Sequence, residues 1–155
     1  MELAVTSQSD ERTRRIVVGV DGSQGSKTAL EWAMTEARLT GATVDAVITW
    51  QDPVMYGFSY GWTPIEYEGD SFATVMGRVL DDAIADVTSR LERPVAVFAR
   101  VVEGHPTQVL LDSAVGAQML VVGSRGHSTF AGILLGSVSQ HCVQHAPCPV
   151  VVIPQ

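Results

Sequence analysis

The stretch 121-VVGSRGHSTFAGILLGSVS-139 decides how the chain is organised. An apolar run, Met119 to Val122, ends at Gly123, a glycine-rich loop follows, and a helix is predicted to begin at Gly136-Ser137. A glycine lets the backbone come close to a ligand because it has no Cβ. A helix start presents unpaired N–H groups and the positive end of the helix dipole, which both suit a phosphate. The stretch therefore predicts an anion-binding loop at the end of a strand.

Strands and helices alternate along the rest of the chain. Apolar runs rich in β-branched residues predict strands at 16–20, 43–50, 95–102, 119–123 and 149–153. Apolar residues at helical spacing predict helices at 26–40, 71–90, 106–116 and 136–145. The alternation predicts an α/β fold with one open parallel sheet and helices on both of its faces.

Two segments fall outside this alternation. Residues 1–14 are polar, with no central apolar region, and are predicted to form a flexible tail rather than a secretory signal, which leaves 15–155 as a single domain. Residues 51–70 are rich in aromatic side chains and show no steady period. A segment of that length without regular structure is often functional, as a lid or as a docking surface.

Composition limits the classes of function. The formal net charge is −7 and the hydrophobic fraction is 46%, which favour a packed acidic domain over a general nucleic-acid or membrane-surface binder. No apolar run reaches the roughly 18 residues of a membrane span. The two cysteines, Cys142 and Cys148, form neither a disulfide framework nor a zinc pattern, so we expect a reduced, cytoplasmic setting.

A second loop resembles a P-loop but fails its spacing. Residues 22–28 read GSQGSKT, with two residues between Gly22 and Gly25 and Ser26 inserted before Lys27. A P-loop has four residues between its glycines and a lysine directly after the second. Lys27 is therefore predicted to be a solvated helix residue.

Two histidines near the end of the last predicted helix are four residues apart. His141 and His145 share a helix face, as zinc ligands can, but the intervening sequence lacks the Glu of the zinc-protease motif. Histidines in a last helical turn also suit the helix dipole. We therefore predict no metal site in this chain and no catalytic residue.

Three segments in order resemble the universal stress protein family. One of them resembles the nucleotide-binding signature of the family's ATP-binding subgroup. It consists of Gly123, Gly126 after two intervening residues, and Gly136-Ser137 after nine more. A strand that runs into Asp21 and a closing stretch, 146-APCPVVVIP-154, match as well. The resemblance covers about residues 15–154.

The resemblance implies a strand order of 3-2-1-4-5, as in adenine nucleotide alpha hydrolase-like folds. Strands one and four then flank the point at which the chain reverses direction across the sheet, where open α/β sheets bind ligands. Asp21 and Gly123 follow these two strands. The implied ligand is ATP, with or without Mg²⁺, and the implied binding residues are Gly19, Val20, Asp21, Thr49, Val122, Gly123, Arg125, Gly126, His127, Gly136, Ser137, Val138 and Ser139.

The roles within this set follow the nucleotide from base to phosphate. Backbone groups of Thr49, or of Ile48 in an alternative alignment, face the adenine, while Val122 and Val138 supply apolar walls. Asp21 accepts hydrogen bonds from the ribose, although a turn aspartate can instead bind nearby amides. Gly123 and Gly126 let the loop approach the ribose and the α-phosphate. Amides and hydroxyls of Gly136, Ser137 and Ser139 hold the later phosphates, and Arg125 and His127 are candidates to offset their charge.

The expected function is that of an ATP-binding switch or adaptor in a stress response. A slow ATPase or phosphotransferase is the enzymatic alternative, but no nucleophile–base pair stands out, so at most weak hydrolysis is expected. A cyclic-nucleotide ligand such as cAMP, or a nucleotide-free interaction module, also remains open. The apolar strand 149–153 would be an edge of the sheet, and the family dimerises through this strand, so a homodimer is expected.

Overall fold

A computed structural model of the chain describes residues 14–52, 69–126, 132 and 134–155. Its elements, in chain order, are β1 (Arg15–Gly19), α1 (Gln24–Thr40), β2 (Thr43–Trp50), α2 (Phe72–Thr88), β3 (Val97–Glu103), α3 (Pro106–Ser113), β4 (Met119–Gly123), α4 (Ser137–His145) and β5 (Val150–Ile153). The predicted tail, apart from its last residue, lies outside the described residues, as do His127 and positions 53–68 of the aromatic segment.

The sheet has five parallel strands in the order β3-β2-β1-β4-β5, which confirms the predicted fold class and topology. The central strand β1 is apolar on both faces because helices cover both. Ile16 and Val18 pack with α1 and α2 in one cluster, and Val17 packs with α3 and α4 in the other. All three side chains are fully buried.

Several element boundaries differ from the prediction. α1 begins at Gln24 rather than at 26, because the Ser23 hydroxyl accepts a hydrogen bond from the Ser26 amide and caps the helix. β1 ends at Gly19, one residue early, and β3 spans 97–103 rather than 95–102. α3 ends at Ser113, three residues before the predicted stop, and Gly116 then adopts a positive φ in the turn that follows.

A buried carboxylate connects three strands of the sheet. Asp45, in the middle of β2, is 2% exposed and lies 2.9 Å from an Arg15 guanidinium nitrogen and 3.2 Å from one of Arg100. Arg15 also donates to the carbonyl oxygen of Ser113 at the end of α3. A buried charge is tolerated only when it is paired, so this triad fixes how β1, β2 and β3 align.

Candidate functional site

A cleft of about 780 Å³ opens at the carboxyl ends of β1 and β4. These two strands are adjacent, but the chain continues from them to opposite faces of the sheet. β1 leads to α1 on one face, and β4 leads to α4 on the other. This is the topological switch point, and the cleft volume is in the range of small-molecule sites. Its lining residues are Gly19, Val20, Asp21, Ser26, Val47, Ile48, Thr49, Met76, Pro106, Leu110, Val122, Gly123, Arg125, Gly126, Gly136, Ser137, Val138 and Ser139.

The predicted binding residues meet in this one cleft. Of the thirteen named from the sequence, the twelve described ones all line it, and His127 lies outside the described residues. The structure therefore brings together four sequence segments that are up to about 120 positions apart. Six further lining residues were not predicted as binding residues: Ser26, Val47, Ile48, Met76, Pro106 and Leu110. Of these, Ile48 had been considered as the alternative to Thr49.

The turn after β1 holds the Asp21 carboxylate in place. One of its oxygens, Oδ1, accepts hydrogen bonds from the amide and from the hydroxyl of Ser23, with the amide at 2.9 Å. Ser23 in turn caps α1, and the Ser26 hydroxyl donates to the Ser23 carbonyl at 2.9 Å. Asp21 therefore does bind groups of its own turn, as the alternative to ribose binding predicted, but these hydrogen bonds use only Oδ1.

The other Asp21 oxygen faces the loop that follows β4. A Cβ built on Gly126 would lie 3.0 Å from Asp21 Oδ2, closer than an ordinary van der Waals contact. A Cβ built on Gly123 would lie 3.3 Å from the carbonyl carbon and oxygen of Gly25. The end of β4 and the loop after it thus approach the turn after β1 and the start of α1 closely, and the absence of a side chain at Gly123 and Gly126 favours this approach.

Ser124 connects this loop to the start of α4. Its amide donates to the carbonyl of Ile153 at 2.8 Å, and its own carbonyl accepts from the Gly136 amide at 2.7 Å. The Ser139 hydroxyl, which is buried, donates to the same Ser124 carbonyl at 3.1 Å and to that of Gly136 at 3.0 Å. Both the Ser137 and the Ser139 hydroxyls were predicted to bind phosphate. Ser137 is exposed, whereas the Ser139 hydroxyl is already engaged in hydrogen bonds within the loop.

The start of α4 presents its amides at the edge of the cleft. Gly136 is the N-cap residue, with φ −65° and ψ 161°, and as a glycine it has no side chain of its own with which to cap the helix. The amides of Ser137, Val138 and Ser139 have no intrahelical acceptor, because the carbonyls four residues earlier lie outside the helix. With the positive end of the helix dipole behind them, these groups favour an anion.

Peptide groups of Thr49 point past the end of β1. Consecutive residues of a parallel strand direct their peptide groups to opposite neighbours. The Val47 carbonyl accepts from the Val20 amide and so faces β1, whereas the Trp50 carbonyl accepts from the Gly104 amide and faces β3. Thr49, two residues after Val47, therefore directs its N–H and C=O to the β1 side, where β1 has already ended.

The same alternation distinguishes Thr49 from Ile48, the two candidate residues on β2. Ile48 follows Val47, whose carbonyl faces β1, so by this alternation the peptide groups of Ile48 face β3, and its side chain is 2% exposed in the core. Thr49 is thus the residue that offers a peptide donor and acceptor to the cleft. Ile48 contributes an apolar surface to the cleft wall.

Helices supply the apolar walls that the sequence did not assign to the site. Pro106 and Leu110 come from the first turns of α3, and Met76 comes from α2. A Cβ on Gly19 would lie 3.1 Å from Leu110 Cδ1, so this leucine packs directly over the end of β1. The sequence could have indicated the α3 residues by position alone. α3 begins where β3 ends, and hence at the same edge of the sheet as the cleft.

The charged groups near the cleft are few. Arg125 is the one cationic side chain among the described lining residues, and it is half-buried. The Lys27 ammonium nitrogen lies 3.4 Å from the Asp86 carboxylate on α2. Lys27 is thus paired with a carboxylate on a helix, as expected if residues 22–28 are not a P-loop. Within the described ranges, no three His, Cys, Asp or Glu side chains group as metal ligands would. In the same ranges, no helix has the length and apolar character needed to cross a membrane.

Comparison with known families agrees with this geometry. The model of the universal stress protein family matches residues 12–154, almost the whole chain. The chain belongs to the universal stress protein family. Among the curated members, Universal stress protein Rv1996 of Mycobacterium tuberculosis is 37% identical over 148 residues, an alignment that covers 90% of this chain and 44% of the relative. The chain thus spans less than half the length of the curated relatives that it matches.

Solved universal stress proteins share the fold. One, whose crystal structure is in complex with cAMP, is 26% identical with a TM-score of 0.61, and the match covers 90% of this chain and 95% of that one. UspA from Lactobacillus plantarum is 23% identical with a TM-score of 0.65, and the match covers 92% and 98%.

Proposed function

We propose that this universal stress protein binds an adenine nucleotide, ATP in the first place, in the cleft at the ends of β1 and β4. One observation carries the proposal: Asp21 Oδ2 lies beside Gly126, within the same cleft as the amides at the start of α4. An acceptor suited to ribose hydroxyls and a donor array suited to phosphate then stand together at the switch point.

The peptide groups of Thr49 give this site a preference for adenine. The Watson–Crick edge of adenine places an acceptor, N1, beside a donor, the N6 amino group. A peptide N–H and C=O that point the same way match this pair, whereas guanine presents a donor at N1 and an acceptor at O6. A polar site rejects the base whose groups are reversed because buried partners are then left unpaired.

The remaining parts of the nucleotide have matching surfaces. Met76, Leu110 and Ile48 offer apolar contacts to the faces of the base. Asp21 receives the ribose hydroxyls. The phosphates lie at the amides of residues 137–139 and at the Ser137 hydroxyl, with Arg125 and His127 as the nearby basic side chains.

Charge bears on whether ATP binds with a metal ion. ATP carries a charge near −4, whereas Arg125 and the helix dipole together supply little more than one positive charge among the described residues of the cleft. ATP is therefore proposed to bind as its Mg²⁺ complex. A cyclic nucleotide, with a single negative charge, needs no such ion, and the neighbour solved with cAMP makes this the second candidate ligand.

The nucleotide is proposed to set the state of a switch or adaptor in a stress response. A second copy of the chain is the proposed partner at β5, because β5 is an edge strand whose four residues are only half-buried. The two free thiols are consistent with a cytoplasmic setting.

The ligand carried by the purified protein tests the proposal. The protein is denatured, and the released material is identified by absorbance and mass spectrometry. The emptied protein is then titrated with ATP, with and without Mg²⁺, and with ADP and cAMP. Release or binding of an adenine nucleotide supports the proposal, and a protein that carries none and ignores all three ligands contradicts it.

A further inference from the structure

Against the expectation from sequence that the chain has no metal site, we propose that His141 and His145, on the exposed side of α4, form a binding site for a divalent transition-metal ion. Both histidines are exposed, and they are four residues apart on one helix. Their ring centroids are 4.4 Å apart, with the ring planes at 43°. Residues at this spacing lie on the same face of a helix, so the backbone itself holds both rings on one side.

The distance between the rings fits two imidazoles on one metal ion. A zinc–imidazole bond is about 2.1 Å long, which places a ring centroid roughly 3.2 Å from the metal. Two rings that coordinate at about 90–110° then have centroids roughly 4.5–5.2 Å apart. The observed 4.4 Å is just below this range, so the two rings already lie at nearly the separation that a shared ion requires.

The helix dipole accounts for only one of these histidines. Dipole stabilisation of a cationic side chain falls off within the last turn of a helix. His145 ends α4, a nine-residue helix, whereas His141 lies one full turn earlier, near its middle. The contact between the rings is therefore an independent observation, which the dipole does not explain.

The ligand type indicates which ions bind. Neutral imidazole suits Zn²⁺, Ni²⁺ and Cu²⁺ rather than Mg²⁺ or Ca²⁺, and affinity at such sites is highest for Cu²⁺. Two protein ligands leave the other coordination positions to water, unlike a structural zinc centre with four or a catalytic one with three. The site is thus a surface chelate and is separate from the nucleotide cleft, since neither histidine lines the cleft.

The test uses the untagged full chain and three variants on α4. His141→Gln and His145→Gln each remove one ligand and keep a good helix former, and Gln144→Ala changes an exposed neighbour between them as the matched control. Binding of NiCl₂ and CuCl₂ is measured by calorimetry, and retention on an immobilised Ni²⁺ column is measured in parallel. Circular dichroism verifies that each variant is folded.

The expected result is one ion per chain for the wild type and for Gln144→Ala, with affinity at least tenfold weaker in each histidine variant. The Cu²⁺ complex should show two coordinated nitrogens by electron paramagnetic resonance. Binding that is absent, that survives both histidine variants or that depends on only one of them overturns the proposal. Nucleotide affinity should be the same in all four proteins, so this outcome is independent of the proposed function.

Discussion

Gly126 lies against Asp21 so closely that a Cβ at residue 126 would be 3.0 Å from Asp21 Oδ2. Gly126 is not among the glycines with positive φ, so its backbone is open to any residue. A larger residue there would therefore crowd the carboxylate rather than strain the backbone. The pair connects the turn after β1 with the loop after β4, and the account of the site depends on it.

Substitution of Gly126 should weaken nucleotide binding in proportion to the size of the new side chain. Gly126→Ala pushes the Asp21 carboxylate away from its position, and Gly126→Val also fills part of the cleft. Because a hydrogen bond to a charged group is worth about 1.5–3 kcal/mol, we expect roughly a tenfold loss of ATP affinity for Ala and a larger one for Val. Calorimetric titration measures both.

A second glycine provides the matched control. Gly77 lies within α2, and a Cβ there would be 3.8 Å from Val101, an ordinary contact. Gly77→Ala should leave ATP affinity unchanged and raise helix stability slightly, by about 0.5–1 kcal/mol. Equal affinity in the wild type and in a folded Gly126→Val protein would remove this loop from the site.

Loss of the Asp21 carboxylate should abolish discrimination between ribose and deoxyribose. If Oδ2 accepts from a ribose hydroxyl, the wild type binds AMP about tenfold more tightly than its 2′- or 3′-deoxy analogue. Asp21→Ala should weaken AMP binding but leave that of the relevant deoxy analogue nearly unchanged. Affinities of the three ligands for the two proteins form a thermodynamic cycle that isolates the interaction.

Ser23→Ala separates the turn role of Asp21 from its ligand role. The substitution removes the α1 cap and one hydrogen bond to Asp21 Oδ1, so we expect a loss of about 1 kcal/mol of stability. The preference for ribose over deoxyribose should persist in this variant. A preference that persists in Asp21→Ala as well would show that another group reads the sugar.

The sequence predicted those parts of the site whose residues form a recognisable motif over a few consecutive positions. Glycines at fixed spacing, an acidic residue after a buried strand and a glycine–serine helix start can each be recognised within a few residues. Leu110 and Met76 carry no such signature, because their apolar periodicity is that of any core-facing helix. Their place in the cleft depends on how α3 and α2 pack on the sheet, which is a tertiary property.

Asp45 illustrates the same limit in the core. An aspartate within an apolar strand gives no local sign of its partners, which come from β1 and β3. Its pairing with Arg15 and Arg100 follows from the strand order, and the strand order came from family resemblance rather than from periodicity. The start of α1 was also missed, although the Ser23 cap that sets it is a local signal.

Replacement of Asp45 should destabilise the fold without touching the cleft. Asp45→Asn leaves Arg15 largely buried without its charge partner, and breaking such a pair costs about 3 kcal/mol. Urea denaturation measures the free energy of unfolding. Asp82→Asn, at an exposed position on α2, is the control and should change it by less than about 0.5 kcal/mol. Similar values for the two variants would contradict a structural role for the triad.

The two thiols should differ in reactivity. Burial raises the pKa of Cys142 to about 11, so at pH 8 only about one thiol in a thousand is ionised. Burial also raises the pKa of Cys148, which is half-buried rather than fully buried. Alkylation of the folded protein with iodoacetamide should therefore modify Cys148 well before Cys142, and the rate should rise with pH.

Denatured protein is the control for this experiment, because both thiols then react at the rate of an ordinary cysteine. Mass spectrometry of peptides gives the extent of modification at each position. Rapid native alkylation of Cys142 would show that α4 opens readily from the core, contrary to its packing against Val17 and Leu120.

The most direct test of the account is a paired titration of the emptied wild-type protein with AMP and GMP. The two ligands share ribose and phosphate and differ only in the base, so their comparison isolates what the Thr49 peptide groups read. AMP should bind, and GMP should bind at least a hundredfold more weakly. Equal affinity for the two ligands, or binding of neither, would contradict an adenine-nucleotide site at the ends of β1 and β4.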